Sequence, residues 1–434
     1  MTPQSSFTVL APLAAGREAE LRSLLASMNR QPGVVDPANG VVAFGAFDRL
    51  HFARFVILAD QTLADITTAY GLPPPAVTIY LAFLVDCDGP AGDFLAELVE
   101  RAGAGLRRVF AHCEGFEPGG DLRRWLERHQ QPAAATYVNW VGRTVRQTRE
   151  ENSLRQALEA QLDARPTDFA AMDPQRVHAT LKAFVDGERR GGRLTLTPAA
   201  PTPLGWWLRN KLHALGVPLL LLLLAPLLLL YLPFFLIQLR WRERSDPVIA
   251  PRPDPAHAQR LGEIEDHDVT NQFSAMGTLK PGRFRRWTLV FFLWIIDYTT
   301  RHVFNRGRLA RVRTIHFARW VFLDGKRRLL FASNYDRSLE SYMDDFINKV
   351  AFGLNLVFSN GVGYPRTNWL IHDGAKDEQK FKYYIRRHEL PTEVWYNGHP
   401  GLTAVDLDRN ARIRQGIERS SLTAAEAREW VALL

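Results

Sequence analysis

Leu50-His-Phe-Ala-Arg-Phe-Val-Ile-Leu58 and Ile315-His-Phe-Ala-Arg-Trp-Val-Phe-Leu323 agree at six of nine positions. Both are dense in β-branched and aromatic residues, which predicts strands. Outward from them, Phe7–Leu13 aligns with Phe273–Leu279, and Tyr80–Asp86 with Arg328–Asn334. The offset is 266 at the first strand (273 against 7), 265 at the second (315 against 50) and 248 at the third (328 against 80). The drop reflects a longer loop, Asp60–Thr78, in the first copy. Apolar residues at helical spacing predict helices over Ala91–Arg101 and Leu339–Val350, and further helices fall at Glu18–Met28 and Phe284–Phe304. A fourth strand is expected at Leu106–His112 and at Leu354–Asn360, each running into a glycine turn.

Each copy thus reads strand–helix–strand–strand–helix–strand, the ferredoxin-like pattern. An open sheet with helices on one face leaves its other face apolar, and two copies can cover each other there. Over roughly residues 6–118 and 270–365 the chain resembles the dimeric α/β-barrel superfamily in a single-chain, two-copy form. The expected fold is α+β: two ferredoxin-like repeats forming an intramolecular dimeric α/β barrel, with a helical insert and a membrane-embedded hairpin. The divisions are 1–118 and 270–365 for the repeats, 119–205 for a helical connector and 206–244 for the anchor. Residues 245–269 form a linker and 366–434 a C-terminal extension. Helices are expected at Asp121–Gln130, Tyr137–Leu162, Gln175–Val185, Asp377–Arg387 and Asp406–Glu418, with a short strand at Thr392–Tyr396.

Between the copies, Gly216–Leu239 is a block of 24 residues without a charge, long enough to cross a bilayer. A single crossing would separate two sheets that need each other. Pro226, near the centre of the block, predicts a bend that returns the chain. Arg209 and Lys211 before the block and Arg240, Arg242 and Arg244 after it place both flanks on the cytoplasmic face. The net charge of +8 is concentrated in arginine near this block, which suits anionic lipid headgroups rather than nucleic acid. No basic n-region followed by an apolar run opens the chain, so no cleavable signal is expected. Two cysteines, Cys87 and Cys113, make no disulfide framework.

His51 and His316 match between the copies, as do Arg54 and Arg319. On a regular strand His316 and Arg319 point to opposite faces. A polar pair kept in both copies can be a buried hydrogen-bond network or part of a pocket built in one copy. Dye-decolorising haem peroxidases belong to the two-copy barrel group and resemble the second copy here. The resemblance implies His302, before the second strand, as axial haem ligand. It also implies Arg319 as distal arginine, with Arg313 as substitute and His316 beside the cofactor. The family's Gly-x-x-Asp-Gly motif is absent; Asp266 and Asp268 occupy its place and are the candidate acids.

The function expected on that resemblance is a membrane-anchored, haem-dependent, peroxidase-like oxidoreductase. Its partners would be membrane lipid and an apolar or lipid-derived substrate, with no nucleic acid. The alternatives are a haem-free lipid-binding enzyme and a non-enzymatic membrane scaffold on the same fold. A pocket joining His302 to Arg319 in the second copy alone would separate enzyme from scaffold.

Overall fold

The computed structural model describes residues 1–434, a mixed α/β chain with antiparallel sheets and one long apolar helix. Its principal elements begin β1 (Gln4–Pro12), α1 (Glu18–Ala26), β2 (Leu50–Ile57), β3 (Tyr80–Asp88) and α2 (Ala91–Phe110). They continue α3 (Leu122–Arg128), β4 (Ala135–Val138), α4 (Val145–Asp163), α5 (Pro174–Arg190) and α6 (Leu204–Ser245). Next are β5 (Thr270–Thr278), α7 (Arg283–His302), β6 (Ile315–Leu323), β7 (Arg328–Asp336) and α8 (Leu339–Phe358). The chain ends α9 (Glu378–His388), β8 (Thr392–Asn397), α10 (Ala404–Glu418) and α11 (Ala424–Val431).

Two open four-stranded sheets result, ordered β1-β3-β2-β8 and β5-β7-β6-β4, and neither closes into a barrel. The fourth strands are not where the sequence pattern puts them. Leu106–His112 and Leu354–Asn360 are mostly the last turns of α2 and α8, because Leu98, Ala102, Leu106 and Val109 continue one buried helical stripe. A single bridge after each helix, Leu13 with Cys113 and Leu279 with Gly361, is all the pairing those segments make. The fourth strand comes instead from the stretch expected to be the connector, where β4 pairs with β6, and from the C-terminal extension, where β8 pairs with β2. Segments that would be separate appendages therefore complete the sheets.

Alternation along each strand sorts its residues into two layers. Ala53, Phe55 and Ile57 join Phe83 and Val85 in a core under α1, α2 and α3. Ala318, Trp320 and Phe331 do the same under α7, α8 and α9. On the opposite faces, Leu10, Val56 and Leu84 meet Met276, Val321 and Leu330, so the sheets stack face to face with helices outside.

The anchor also departs from the expected hairpin. α6 runs unbroken for 42 residues through Pro218, Pro226 and Pro233, a length of about 63 Å. Isolated prolines are tolerated in an apolar helix, and no polar residue beside Pro226 rewards a turn in the chain.

Candidate functional site

Where the sheets face each other, their two matched arginines cross over. Arg54 donates to the Phe273 carbonyl (2.8 Å), Ser274 Oγ (3.1 Å), the Ser333 carbonyl (2.9 Å) and Asn334 Oδ1. Arg319 donates to the Phe7 carbonyl (2.7 Å), Thr8 Oγ1 (3.2 Å), the Val85 carbonyl (3.1 Å) and Asp86 Oδ1. The acceptors correspond pair by pair at the sequence offsets of their strands. Both guanidinium groups are buried, and burial together with the Arg319 charge pushes Arg54 down to about 9.

His51 and His316 sit at bulges, where the register of β2 slips between Leu50 and Phe52 and that of β6 between Ile315 and Phe317. The extra residue reverses the alternation, so His316 shares the intersheet side with Arg319 rather than opposing it. His51 Nε2 lies 2.9 Å from Asp88 Oδ1 and His316 Nε2 2.6 Å from Asp336 Oδ1; each imidazole donates to its carboxylate. The other oxygens accept the first-turn amides of α4 (Val145, 2.9 Å) and α10 (Ala404, 2.8 Å). Gly398 approaches the first bulge so closely that a Cβ there would lie 2.2 Å from the Leu50 carbonyl oxygen. His399 follows it, its ring 5.7 Å from both His51 and His316, and burial among them holds it well below the usual histidine range. The two histidine–aspartate pairs are satisfied and buried, so the repeated motif is a clamp between sheets, whereas His399 Nδ1 is buried without a hydrogen-bond partner.

The residues implied by the peroxidase resemblance are scattered. His302 ends α7 with Nε2 2.8 Å from His213 Nδ1 on α6, its ring flanked by His213 and Tyr298. Arg319 has both terminal nitrogens committed to the first sheet. Arg313 is exposed beside Arg306, Arg308 and Arg412. Asp266 Oδ1 accepts from Asn271 Nδ2 (2.8 Å), and Asp268 accepts from the Gly401 amide (2.9 Å) and Asn397 Nδ2 (3.1 Å). Both acids pin the loop before β5. An imidazole bonded to His213 and wedged against two tilted rings, without Arg319, Asp266 or Asp268 among its contacts, does not fit a haem ligand.

Arg319 borders only a hollow of about 260 Å³ with Ser6, Thr8 and Gln131, and a much wider space lies at the foot of α6. A cleft of about 1430 Å³ is bounded by Trp206, Trp207 and Lys211 of α6, Arg306 after α7, Arg414 of α10 and Glu151 of α4. Glu151 is buried; burial, opposed by Arg143 and Arg414, raises its carboxyl to about 7. The folded state therefore prefers the protonated acid. That preference is fully present below the ordinary value of 4.5 and fades as pH rises through about 7. Glu151→Gln should gain up to about 3 kcal/mol over wild type at about pH 8 and nothing at about pH 4. Denaturant titrations at the two pH values check this; a loss at the higher pH would mean that the ionised carboxylate holds the arginines.

α6 itself is tied to the body at both ends. Tyr298 OH of α7 donates to the Ala214 carbonyl (3.1 Å), and the rings of Phe235 and Phe284 lie 5.4 Å apart, so α6 runs antiparallel along α7. Past them, buried Glu243 accepts from Thr367 Oγ1 (2.8 Å) and the amides of Trp369 (2.9 Å) and Leu370 (2.7 Å). Asp246 accepts from Lys280 Nζ (2.7 Å) and Arg285. Val217, Leu239 and Glu243 are buried, yet the most apolar stretch of the helix is fully exposed. None of Glu151, Arg414, Glu243 or Asp246 was among the candidates, since each acquires meaning only from partners over a hundred residues away or across a fold boundary. Asp88 and Asp336 could have been found: they differ by 248 (336 against 88), the offset of their strands.

Comparison with protein-family models, curated proteins and solved structures found no match to this chain.

Proposed function

We propose that the protein is a haem-free, monotopic membrane protein that binds lipid, with α6 lying along one leaflet and the stacked sheets on one side of it. One observation carries this reading: a helix apolar around its whole circumference is held at both ends by the same folded body. A bilayer-crossing helix would need its ends about 30 Å apart across the hydrocarbon, on opposite sides. Here α7 grips both halves of α6 while burying Leu289 and Leu293 against the second sheet. Trp206 and Trp207 at one end and Trp241 at the other suit the headgroup level, as do the arginines beside them. That arginine content favours the anionic cytoplasmic leaflet.

The crossed arginines and paired histidine–aspartate contacts support a further reading, that the chain is an internal duplication. The duplicated unit would run from β1 to α4 and from β5 to α10, each lending its last strand to the other's sheet. In that reading the motif is a structural mark, and lipid binding belongs where the copies differ. Trp140 follows Thr136, opposite Arg319, by four residues and lines the cleft; His399 follows Trp395, opposite Arg54, by four and is buried between the sheets.

Flotation tests the membrane reading. The full chain, exchanged from detergent into phosphatidylcholine vesicles containing phosphatidylserine, should float and stay bound at about 1 M salt, where surface charge is screened. Protein that remains monodisperse in buffer without detergent, or leaves the vesicles in salt, overturns it.

A further inference from the structure

We propose that the cleft at the foot of α6 is a binding site for the phosphate headgroup of an anionic lipid whose acyl chains remain in the leaflet beside α6. The proposal rests on the membrane reading above and adds the chemistry of the ligand. Five cationic side chains border the cleft against two carboxylates, Glu151 and Glu418. Three ionisable groups at its inner wall are more than nine-tenths buried: Arg143 (8% exposed), Arg414 (6%) and Glu151 (6%). They do not satisfy one another. Glu151 lies 3.9 Å from Arg143 and 4.0 Å from Arg414, beyond hydrogen-bond length; Arg414 Nε pairs with Glu418 (2.7 Å), but Glu151 Oε2 and Arg414 Nη1 have no hydrogen-bond partner. Buried polar atoms left without hydrogen bonds in this way are costly unless a ligand completes them.

A tetrahedral phosphate suits the gap. It accepts from guanidinium forks at several oxygens, and a protonated Glu151 can donate to one more. Arg143 is held against the Trp140 ring (4.3 Å), which fixes the plane of its fork. The source is indicated by the mouth. Trp206, Trp207 and Lys211 on the first turns of α6 form one wall, and Trp207 is 47% exposed. A headgroup in the cleft therefore has its chains at the start of the same apolar surface that seats α6 in the leaflet. A free phosphate would gain nothing from that wall.

Calorimetry on the full chain in neutral detergent tests the site, with dioctanoyl phosphatidic acid, dioctanoyl phosphatidylcholine and inorganic phosphate as probes. Phosphatidic acid should bind at least about tenfold more tightly than the other two, and Arg414→Gln should lose most of that preference. Arg414 also donates to the Thr197 carbonyl, so a second variant guards against misfolding. Lys211→Gln combined with Arg306→Gln alters only the rim, and should weaken phosphatidic acid about tenfold while leaving flotation on pure phosphatidylcholine vesicles intact. Equal binding of the two lipids, or wild-type affinity in the rim variant, overturns the phosphate site. Inorganic phosphate binding as tightly as phosphatidic acid overturns the lipid source. Failed flotation with the phosphatidic acid preference retained would contradict the membrane reading and uphold the cleft.

Discussion

Changing Leu222, Leu223, Leu229 and Leu230 together to glutamate should release the protein from membranes and leave its fold unchanged. These side chains are 71%, 70%, 67% and 80% exposed and touch little of the body, so nothing inside depends on them. In a leaflet each leucine leaves water for hydrocarbon, worth roughly 1.5–3 kcal/mol. Four such losses amount to at least about 6 kcal/mol, a partition coefficient lower by more than about 10⁴-fold, before the cost of placing carboxylates in hydrocarbon is counted. The measurement pairs vesicle partitioning with thermal unfolding. A variant that still partitions like wild type would mean that α6 is covered by protein, as in an assembly of copies.

The second large effect concerns stability, and it separates the two arginines that the sequence treats alike. Arg319→Ala leaves the buried Asp86 carboxylate without its cation, and should cost about 3–5 kcal/mol. Arg54→Ala leaves a neutral amide, Asn334, and two carbonyls, at about 1–3 kcal/mol. It also removes a like charge from beside Arg319. Asp86→Asn added to Arg319→Ala should recover part of the loss, because no uncompensated charge then remains. Chemical denaturation of the three variants reads the ordering. Equal costs, or a stable Arg319→Ala protein that has lost lipid binding, would give Arg319 a functional role instead of a structural one.

The three matched strands, the helices that cover them and the apolar block were legible because each is a local pattern. Phe55 with Ile57, or Leu98 with Ala102, declares its face within a few residues. Strand partners are not local, and here the reading failed. Nothing within Ala135–Val138 says that its hydrogen bonds are made with Phe317–Trp320, so the last two residues of a four-residue edge strand passed for the start of a helix. Leu106–His112 has the composition of a strand, and the phase of α2 overrode it.

The bulges at His51 and His316 explain the error of side. Period-two counting assumes that no residue is inserted, and one extra residue in each strand turned both histidines inward. For the hairpin, the premise was sound, since both sheets do lie together. A helix tied at both ends to one folded body meets the same premise without a turn at Pro226. The resemblance to haem peroxidases followed strand order, which places residues along the chain but cannot bring His302, Arg319 and Asp266 around one cavity.

Sided labelling tests the central claim most directly. Cys87 and Cys113 are buried, so cysteines introduced by Leu204→Cys and Ser245→Cys report the two flanks of α6 with little background. In sealed vesicles carrying the protein in one orientation, a membrane-impermeant maleimide should reach both positions from the same side, and neither from the other. Labelling of the two positions from opposite sides would make α6 a membrane-crossing helix and contradict the account.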